Sequence, residues 1–141
     1  MASKIQSVKG TREFYPEQMA LRNFIYERVH RAAQAFGYQE WDAPFIESID
    51  LYAAKSGEEL VKKQSFTFTD RGGDFVTLRP ELTPSLARMI AAKQGELTYP
   101  VRWWSFGPFW RYEQPQRGAA VNSFSGILIC WESARLKRMR N

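Results

Sequence analysis

The sequence has very few of the residues that form covalent or metal cross-links. It contains one cysteine, Cys130, and one histidine, His30. A lone cysteine excludes an internal disulfide framework and suits a reducing compartment. His30 falls in a helical pattern with no cysteine or second histidine nearby, so we expect no metal site there.

Long apolar runs are also lacking. No stretch approaches the ~20 consecutive apolar residues of a membrane span. The opening Met-Ala-Ser-Lys-Ile-Gln-Ser has no apolar core of the kind found in secretory signals. The composition, 44% hydrophobic and 25% charged, is that of a globular protein. We therefore expect a cytoplasmic globular domain, or a piece of one, with no membrane partner.

The excess of basic residues is concentrated near one end. The chain has 20 Lys and Arg against 15 Asp and Glu, a net charge of +5. Residues 119–141 hold four of the basic residues and one acidic residue, which leaves the rest of the chain close to neutral. A small RNA-binding protein would spread positive charge over its folded surface. The charge pattern therefore gives little support to that interpretation.

Local patterns in the first third predict a helix followed by an extended segment. Apolar residues recur at helical spacing over residues 17–36, and Gly37 ends the helix. Residues 38–46 look extended but contain Pro44. Because proline cannot donate to a neighbouring strand, Pro44 favours a sheet edge or an interface.

Turn signals are clearer further along the chain. Short helices are predicted over residues 49–54 and 58–63. Residues 65–78 alternate apolar and polar side chains on both sides of the turn 71–74, which predicts an antiparallel hairpin. Thr83 and Pro84 predict a helix start with Thr83 as the N-cap, and Gly95 closes that helix.

The last strong patterns are two predicted strands, residues 101–106 and 109–113, separated by Gly107 and Pro108. Helices and strands are thus mixed without strict alternation, which favours an α+β fold with an antiparallel sheet flanked by helices. The clustered Trp103, Trp104 and Trp110 are expected in the core rather than on a base-stacking platform.

Four segments carry patterns that could support chemistry. They are Lys9-Gly-Thr-Arg-Glu-Phe-Tyr-Pro16, Phe36-Gly-Tyr-Gln-Glu-Trp-Asp-Ala-Pro44, Arg71–Arg88 with Arg79-Pro-Glu-Leu-Thr-Pro84 inside it, and Phe109-Trp-Arg-Tyr-Glu-Gln-Pro-Gln-Arg-Gly118. Their order and spacing over residues 8–118 resemble the histidine–tRNA ligase family of class II aminoacyl-tRNA synthetases. The resemblance implies an incomplete class II catalytic core, with histidine, ATP and tRNA as partners, Mg²⁺ accompanying ATP, and a homodimer.

The fourth segment resembles motif 2 of class II enzymes. On a strand, residues two apart face the same way, so Arg111 and Glu113 are predicted to project together. The resemblance implies that Arg111 is catalytic, binding the α-phosphate of ATP and the carboxylate of histidine, and that Glu113 contacts adenine. A guanidinium suits an oxyanion because it can donate two parallel charge-assisted hydrogen bonds. The alternative from spacing alone is an exposed ion pair worth at most about 1 kcal/mol.

The third segment contains the residues that indicate which substrate is bound. The resemblance implies that Glu81 and Thr83 hold the α-amino group of histidine, and a carboxylate beside a hydroxyl suits an ammonium group. The alternative is that Thr83 only caps the helix, with Glu81 as a favourable anion near its N-terminus. The second segment resembles motif 1, which implies that the helix and the segment around Pro44 form the dimer interface.

The resemblance breaks after Gly118. The family pattern continues Arg-Arg-Arg-Glu-Phe-aromatic-Gln-Trp-Asn-x-Asp, whereas residues 119–131 read Ala-Ala-Val-Asn-Ser-Phe-Ser-Gly-Ile-Leu-Ile-Cys-Trp. Deleting one base just after the Gly118 codon of a family-like gene reproduces all of these residues. We therefore expect residues 1–118 to be the N-terminal part of the catalytic domain and residues 119–141 to be a divergent, frameshifted basic tail that ends at a premature stop.

That hypothesis has consequences for activity. Ser125 and Ile129 stand where the family has a glutamine and an aspartate that contact histidine. The later motif 3 arginine and the anticodon-binding domain would also be missing, so we expect this chain to be inactive although its parent enzyme ligates histidine to tRNA. The alternative function is that of a catalytically silent paralogue, such as the regulatory subunit of ATP phosphoribosyltransferase.

Overall fold

The structure is a computed structural model that describes residues 5–56, 63–112 and 122–131; within these ranges, residues 54–56 and 122–131 other than Ile129 are described by their backbone. The described residues form three helices and six strands. The helices are α1 (Pro16–Ala35), α2 (Asp50–Ser56) and α3 (Thr83–Ala92). The strands are β1 (Gln39–Glu40), β2 (Ile46–Ser48), β3 (Thr67–Thr69), β4 (Phe75–Leu78), β5 (Val101–Trp110) and β6 (Asn122–Trp131).

The first of two three-stranded sheets has the order β1-β5-β6. Strand β5 pairs antiparallel with β6 over its whole length, from Val101 opposite Trp131 to Trp110 opposite Asn122, and its middle pairs parallel with β1. The prediction of two strands broken at Gly107-Pro108 is therefore wrong. The carbonyl of Pro108 faces Arg79 rather than β6, and on a strand the N–H and C=O of a residue point the same way. The missing N–H of Pro108 thus costs no bond to β6.

The second sheet has the order β2-β4-β3, with both pairings antiparallel. The predicted hairpin is confirmed as β3 and β4. Its turn is closed by the Asp70 side chain, which accepts the Asp74 amide at 2.9 Å, and by Gly73 at φ +94°, a conformation that glycine adopts without strain. The extended segment predicted over residues 38–46, with its interruption at Pro44, contains β1 and the start of β2, which belong to different sheets, and Pro44 lies between them.

The main apolar core lies between α3 and the first sheet. Trp41, Leu82, Leu86 and Ile90 are buried together, with Trp103 and Ile129 packed against them. On the other face of the sheet, Trp104 packs under α1 with ring centroids 5.7 Å from Tyr26 and 5.4 Å from His30. The expected core role of Trp103 and Trp104 is confirmed, and His30 contributes to this aromatic packing.

Helix α1 leaves much apolar surface uncovered. It begins at Pro16, where the Gln18 side chain accepts the Tyr15 amide at 2.9 Å, and it ends before Gly37 at φ +72°. Ala33 is its buried residue, while Leu21, Phe24 and Ile25 are exposed. Within the described ranges, no helix has the length and apolar character needed to cross a membrane.

Candidate active site

The segment between β4 and α3 connects the two sheets. The Arg79 amide donates to Phe45 O at 2.8 Å, and Arg79 O accepts the Trp110 amide at 3.0 Å. The turn Arg79–Thr83 is therefore held against the end of β5, on the same side of the molecule as Arg111. This contact brings together the third and fourth segments that the sequence singled out.

Thr83 does not cap helix α3, so that prediction is wrong. The N-cap is Leu82, and Thr83 is the first residue of the helix, followed by Pro84. Burial of Leu82 in the core with Trp41 sets the start of the helix, and an apolar side chain cannot accept a capping hydrogen bond. The Thr83 side chain is exposed, and its hydroxyl makes no hydrogen bond with another residue in the described part of the chain.

Glu81 lies beside Thr83 on the same turn. It is half-buried, and its carbonyl accepts a hydrogen bond from the Tyr52 hydroxyl at 3.4 Å. Tyr52 belongs to α2, and burial raises its pKa to about 12, so it stays a neutral donor over the physiological range. Helix α2 thus contacts the backbone of Glu81, the residue whose carboxylate is expected to hold the α-amino group of the substrate.

Arg111 lies one residue beyond the end of β5, and its side chain is exposed. Its Nε donates to Pro80 O at 3.1 Å, and its guanidinium carbon lies 5.2 Å from the centre of the Phe109 ring. Its two Nη groups make no hydrogen bond to any residue in the described ranges. Among the described residues, the guanidinium is thus held at its inner nitrogen only.

The strand prediction around Arg111 is partly wrong. Strand β5 ends at Trp110, so strand alternation does not govern the relation between Arg111 and Glu113. Glu113 and the loop 114–118 lie outside the described residues, as does most of the helix predicted over residues 58–63.

Sequence reasoning gave Arg79 no role, yet it is the most buried charged residue described, with 0% exposure. Its Nη1 donates to Asp42 Oδ1 at 2.7 Å and to Ala43 O at 2.6 Å, and its Nε donates to Pro108 O at 2.9 Å. Its guanidinium carbon also lies 4.5 Å from the centre of the Phe45 ring. No local pattern marks these partners, because they come from distant parts of the chain.

A second buried network surrounds Glu47 on β2. Ser85 donates to Glu47 Oε1 at 2.9 Å, and Arg88 donates to both carboxylate oxygens, at 2.7 Å from Nη2 to Oε1. The contact with Glu47 raises the pKa of Arg88. This network joins the edge of the second sheet to α3, immediately after Thr83. The sequence had shown only that Glu47 follows the second segment.

Comparison with known proteins identifies the family. The sequence model described as histidyl-tRNA synthetase matches residues 10–126, most of the chain. The chain belongs to the histidyl-tRNA synthetase family. It is 50% identical over 113 residues to the histidine–tRNA ligase of Leptospira biflexa, which covers 80% of this chain, and 50% identical over 115 residues to that of Thermoplasma volcanium, covering 82%.

Solved structures of the family agree with the fold. The apo histidyl-tRNA synthetase of S. aureus superimposes with a TM-score of 0.66 at 29% identity, covering 77% of this chain and 26% of that one. The histidyl-tRNA synthetase of Nostoc sp. gives a TM-score of 0.78 at 17% identity, covering 93% and 29%, a likeness of fold. The chain spans about a quarter (26%) of the length of its Leptospira and Thermoplasma relatives.

Proposed function

We propose that this chain supplies part of the active site of an enzyme that joins histidine to its tRNA through histidyl-adenylate. The observation that carries the proposal is the placement of Arg111. Its Nε is held by Pro80 O at 3.1 Å, beside Glu81 in the chain, and its outer nitrogens have no hydrogen-bond partner among the described residues. In this proposal Arg111 binds an oxyanion and Glu81 binds an ammonium group, and histidine carries both.

The proposed reaction uses this fork at the reacting atoms. The histidine carboxylate attacks the α-phosphorus of ATP, the bond to the pyrophosphate oxygen breaks, and negative charge builds on the α-phosphate oxygens. Arg111 donates to those oxygens and to the histidine carboxylate. Loss of one preorganised donor of this kind costs about 10²–10³ in rate, roughly 3–4 kcal/mol.

Glu81 and Thr83 hold the α-amino group of histidine in this proposal. The half-buried carboxylate of Glu81 supplies charge, and the hydroxyl of Thr83 is not consumed by helix capping. Glu113 contacts adenine, and the loop 114–118 covers ATP and meets the acceptor end of the tRNA; both rest on the family resemblance. Mg²⁺ enters with ATP as part of the substrate in this proposal, which here too rests on the family resemblance.

The proposal extends to a cytoplasmic homodimer that pairs through α1. Leu21 is 65% exposed, and Phe24, Ile25 and Tyr15 are exposed as well. An apolar patch of this kind on a folded domain marks a protein–protein interface. The patch lies on and just before the helix that precedes the second segment, and the family resemblance implies that this helix and the segment around Pro44 form the dimer interface.

We also propose that residues 119–141 are a frameshifted tail and that the chain by itself has no ligase activity. Strand β6 is compatible with this origin, because strand pairing uses main-chain groups that every residue except proline supplies, and residues 122–131 contain no proline. Reading the gene past codon 118 tests the frameshift, and an uninterrupted frame with an unrelated tail would contradict it. ATP–pyrophosphate exchange tests the inactivity, which clear histidine-dependent exchange would refute.

Ligand titration followed by NMR tests the site itself. Histidine is expected to shift the Glu81 and Thr83 amide signals, an analogue without the α-amino group is not, and ATP is expected to shift the Arg111 side-chain signals. Arg111→Lys should weaken ATP binding roughly 10–100-fold, because a charge-assisted hydrogen bond is worth about 1.5–3 kcal/mol. Arg102→Lys, near the other end of β5 and likewise exposed, is the matched control and should change little.

The outcomes of the titration separate the two candidate functions. Histidine shifts without ATP shifts would favour the silent paralogue, the regulatory type of protein. If neither ligand moves these signals, the proposed site is wrong. The names of the relatives at 50% identity favour the ligase.

A further inference from the structure

Arg79 contacts both the end of β5 and the connection between the two sheets. Its backbone holds Trp110, and its side chain holds Pro108, so one residue contacts β5 at two positions on the same side of the strand. These positions directly precede Arg111. The next residue along the turn, Pro80, accepts the Nε of Arg111 at 3.1 Å.

The other half of the Arg79 side chain faces the connection between the two sheets. Nη1 donates to Asp42 and Ala43, which follow β1, and the Phe45 ring packs against the guanidinium just before β2. A planar guanidinium can donate in these two directions at once because its Nε and Nη1 point apart in a fixed fork. A lysine ammonium carries its donors on one atom. It therefore cannot reach Pro108 O on one side and the acceptors of Asp42 and Ala43 on the other.

Gly107 leaves room for this side chain. A Cβ built on Gly107 would lie 2.7 Å from Nη2 of Arg79, closer than carbon and nitrogen can approach without movement. Nη2 is buried and makes no hydrogen bond among the described residues. Removing such a group from water without a partner carries a cost.

We infer that Arg79 is a positioning residue of this site: its buried guanidinium holds the end of β5 against the turn Arg79–Thr83 and thereby fixes Arg111 relative to Glu81. The inference rests on the proposed function, because it matters to catalysis only if Arg111 and Glu81 bind the two ends of histidine. Arg79 itself touches no substrate; it acts through the backbone of Pro108 and Trp110.

The test follows the Arg111 Nε–Hε signal of the full 141-residue chain by ¹⁵N NMR without ligand. In Arg79→Lys we expect this signal to move towards that of a solvent-exposed arginine and its Hε to exchange with water several-fold faster. Arg88→Lys is the matched control. This substitution removes the guanidinium from the other buried network, in which Arg88 binds Glu47. It should lower the stability of the chain and leave the Arg111 signal in place.

Asp42→Ala keeps the test decisive if Arg79→Lys does not fold. The Asp42 side chain is 59% exposed, so water can enter the space that it leaves, and its loss removes one acceptor of Nη1 while Ala43 O remains. We expect a smaller shift of the Arg111 signal in the same direction. An unchanged Arg111 signal in Asp42→Ala, or in a folded Arg79→Lys chain, overturns the inference, as does an equal shift in Arg88→Lys. No ligand is added, so a failure of histidine and ATP to bind would sink the proposed function and not this result.

Discussion

The buried contact between Glu47 and Arg88 allows a quantitative test of how α3 is attached to the second sheet. The Glu47 side chain is 4% exposed and the Arg88 side chain 42% exposed. Arg88→Met would leave a buried carboxylate with Ser85 as its one remaining side-chain partner among the described residues. Breaking a fully buried ion pair from one side costs about 3–5 kcal/mol. Because Arg88 is partly in water, which can enter the vacated space, we expect about 2–3 kcal/mol.

Glu47→Gln should cost less. The amide keeps the size of the side chain and an oxygen that can accept from Ser85, and the exposed end of Arg88 can be solvated. We expect a loss of about 1–1.5 kcal/mol, the value of one net hydrogen bond. The double variant buries no charge, so it should be no less stable than Arg88→Met alone. The two changes should therefore be non-additive by about 1–2 kcal/mol.

Urea unfolding followed by tryptophan fluorescence measures all four chains under one set of conditions. Trp41 and Trp104 are buried and report on the core. If the losses in the two single variants simply add in the double variant, the carboxylate and the guanidinium do not depend on each other. The attachment of β2 to α3 through this pair would then be refuted.

Two further predictions concern Tyr52 and Gly37. The pKa of Tyr52 lies above its unfolded value of 10.0, at about 12, so its contribution to stability is complete below pH 10.0 and is lost as the pH rises through about 12. The loss is at most about 2–3 kcal/mol, measured as the difference in alkaline unfolding between the wild type and Tyr52→Phe, and equal pH slopes in the two chains would contradict it. Gly37→Ala should destabilise by about 1 kcal/mol because its φ is +72°, whereas the Cβ itself would meet only Arg102 Nη1 at an ordinary 3.8 Å. Gly95→Ala, where a Cβ has open space, is the control, and equal melting temperatures for the two variants would show that the backbone conformation carries no cost.

Features set by neighbours along the chain were predictable from the sequence. The hairpin β3–β4 follows from alternation around a glycine turn, and α1 follows from helical spacing closed by a glycine at φ +72°. Contacts between distant residues were not predictable in this way. Pro108 stands inside β5 because its missing N–H faces Arg79 rather than β6. The helix starts at Thr83 because Leu82 is drawn into a core with Trp41.

The candidate site shows the same division. The family resemblance singled out Arg111 and Glu81, and the structure places their segments together through Pro80. Nothing in the local sequence shows that Arg79, two residues before Glu81, is fully buried, because its partners near residues 42 and 108 are remote in the chain. A charged residue beside a substrate residue would ordinarily be taken for a second ligand. Because Arg79 is fully buried, it holds the surrounding segments in place instead.

The two buried networks hold the turn between β4 and α3 from both ends. Arg79 fixes its start to β5, and Glu47 fixes its continuation through Ser85 and Arg88. The groups proposed to meet the substrate, the Arg111 fork and the Thr83 hydroxyl, are exposed and take no part in either network. Exposed polar groups contribute little to stability, whereas unpaired buried charges cost several kcal/mol. The position of Thr83 on this turn, and of Arg111 against it, is accounted for by the proposed ligand binding and by neither network.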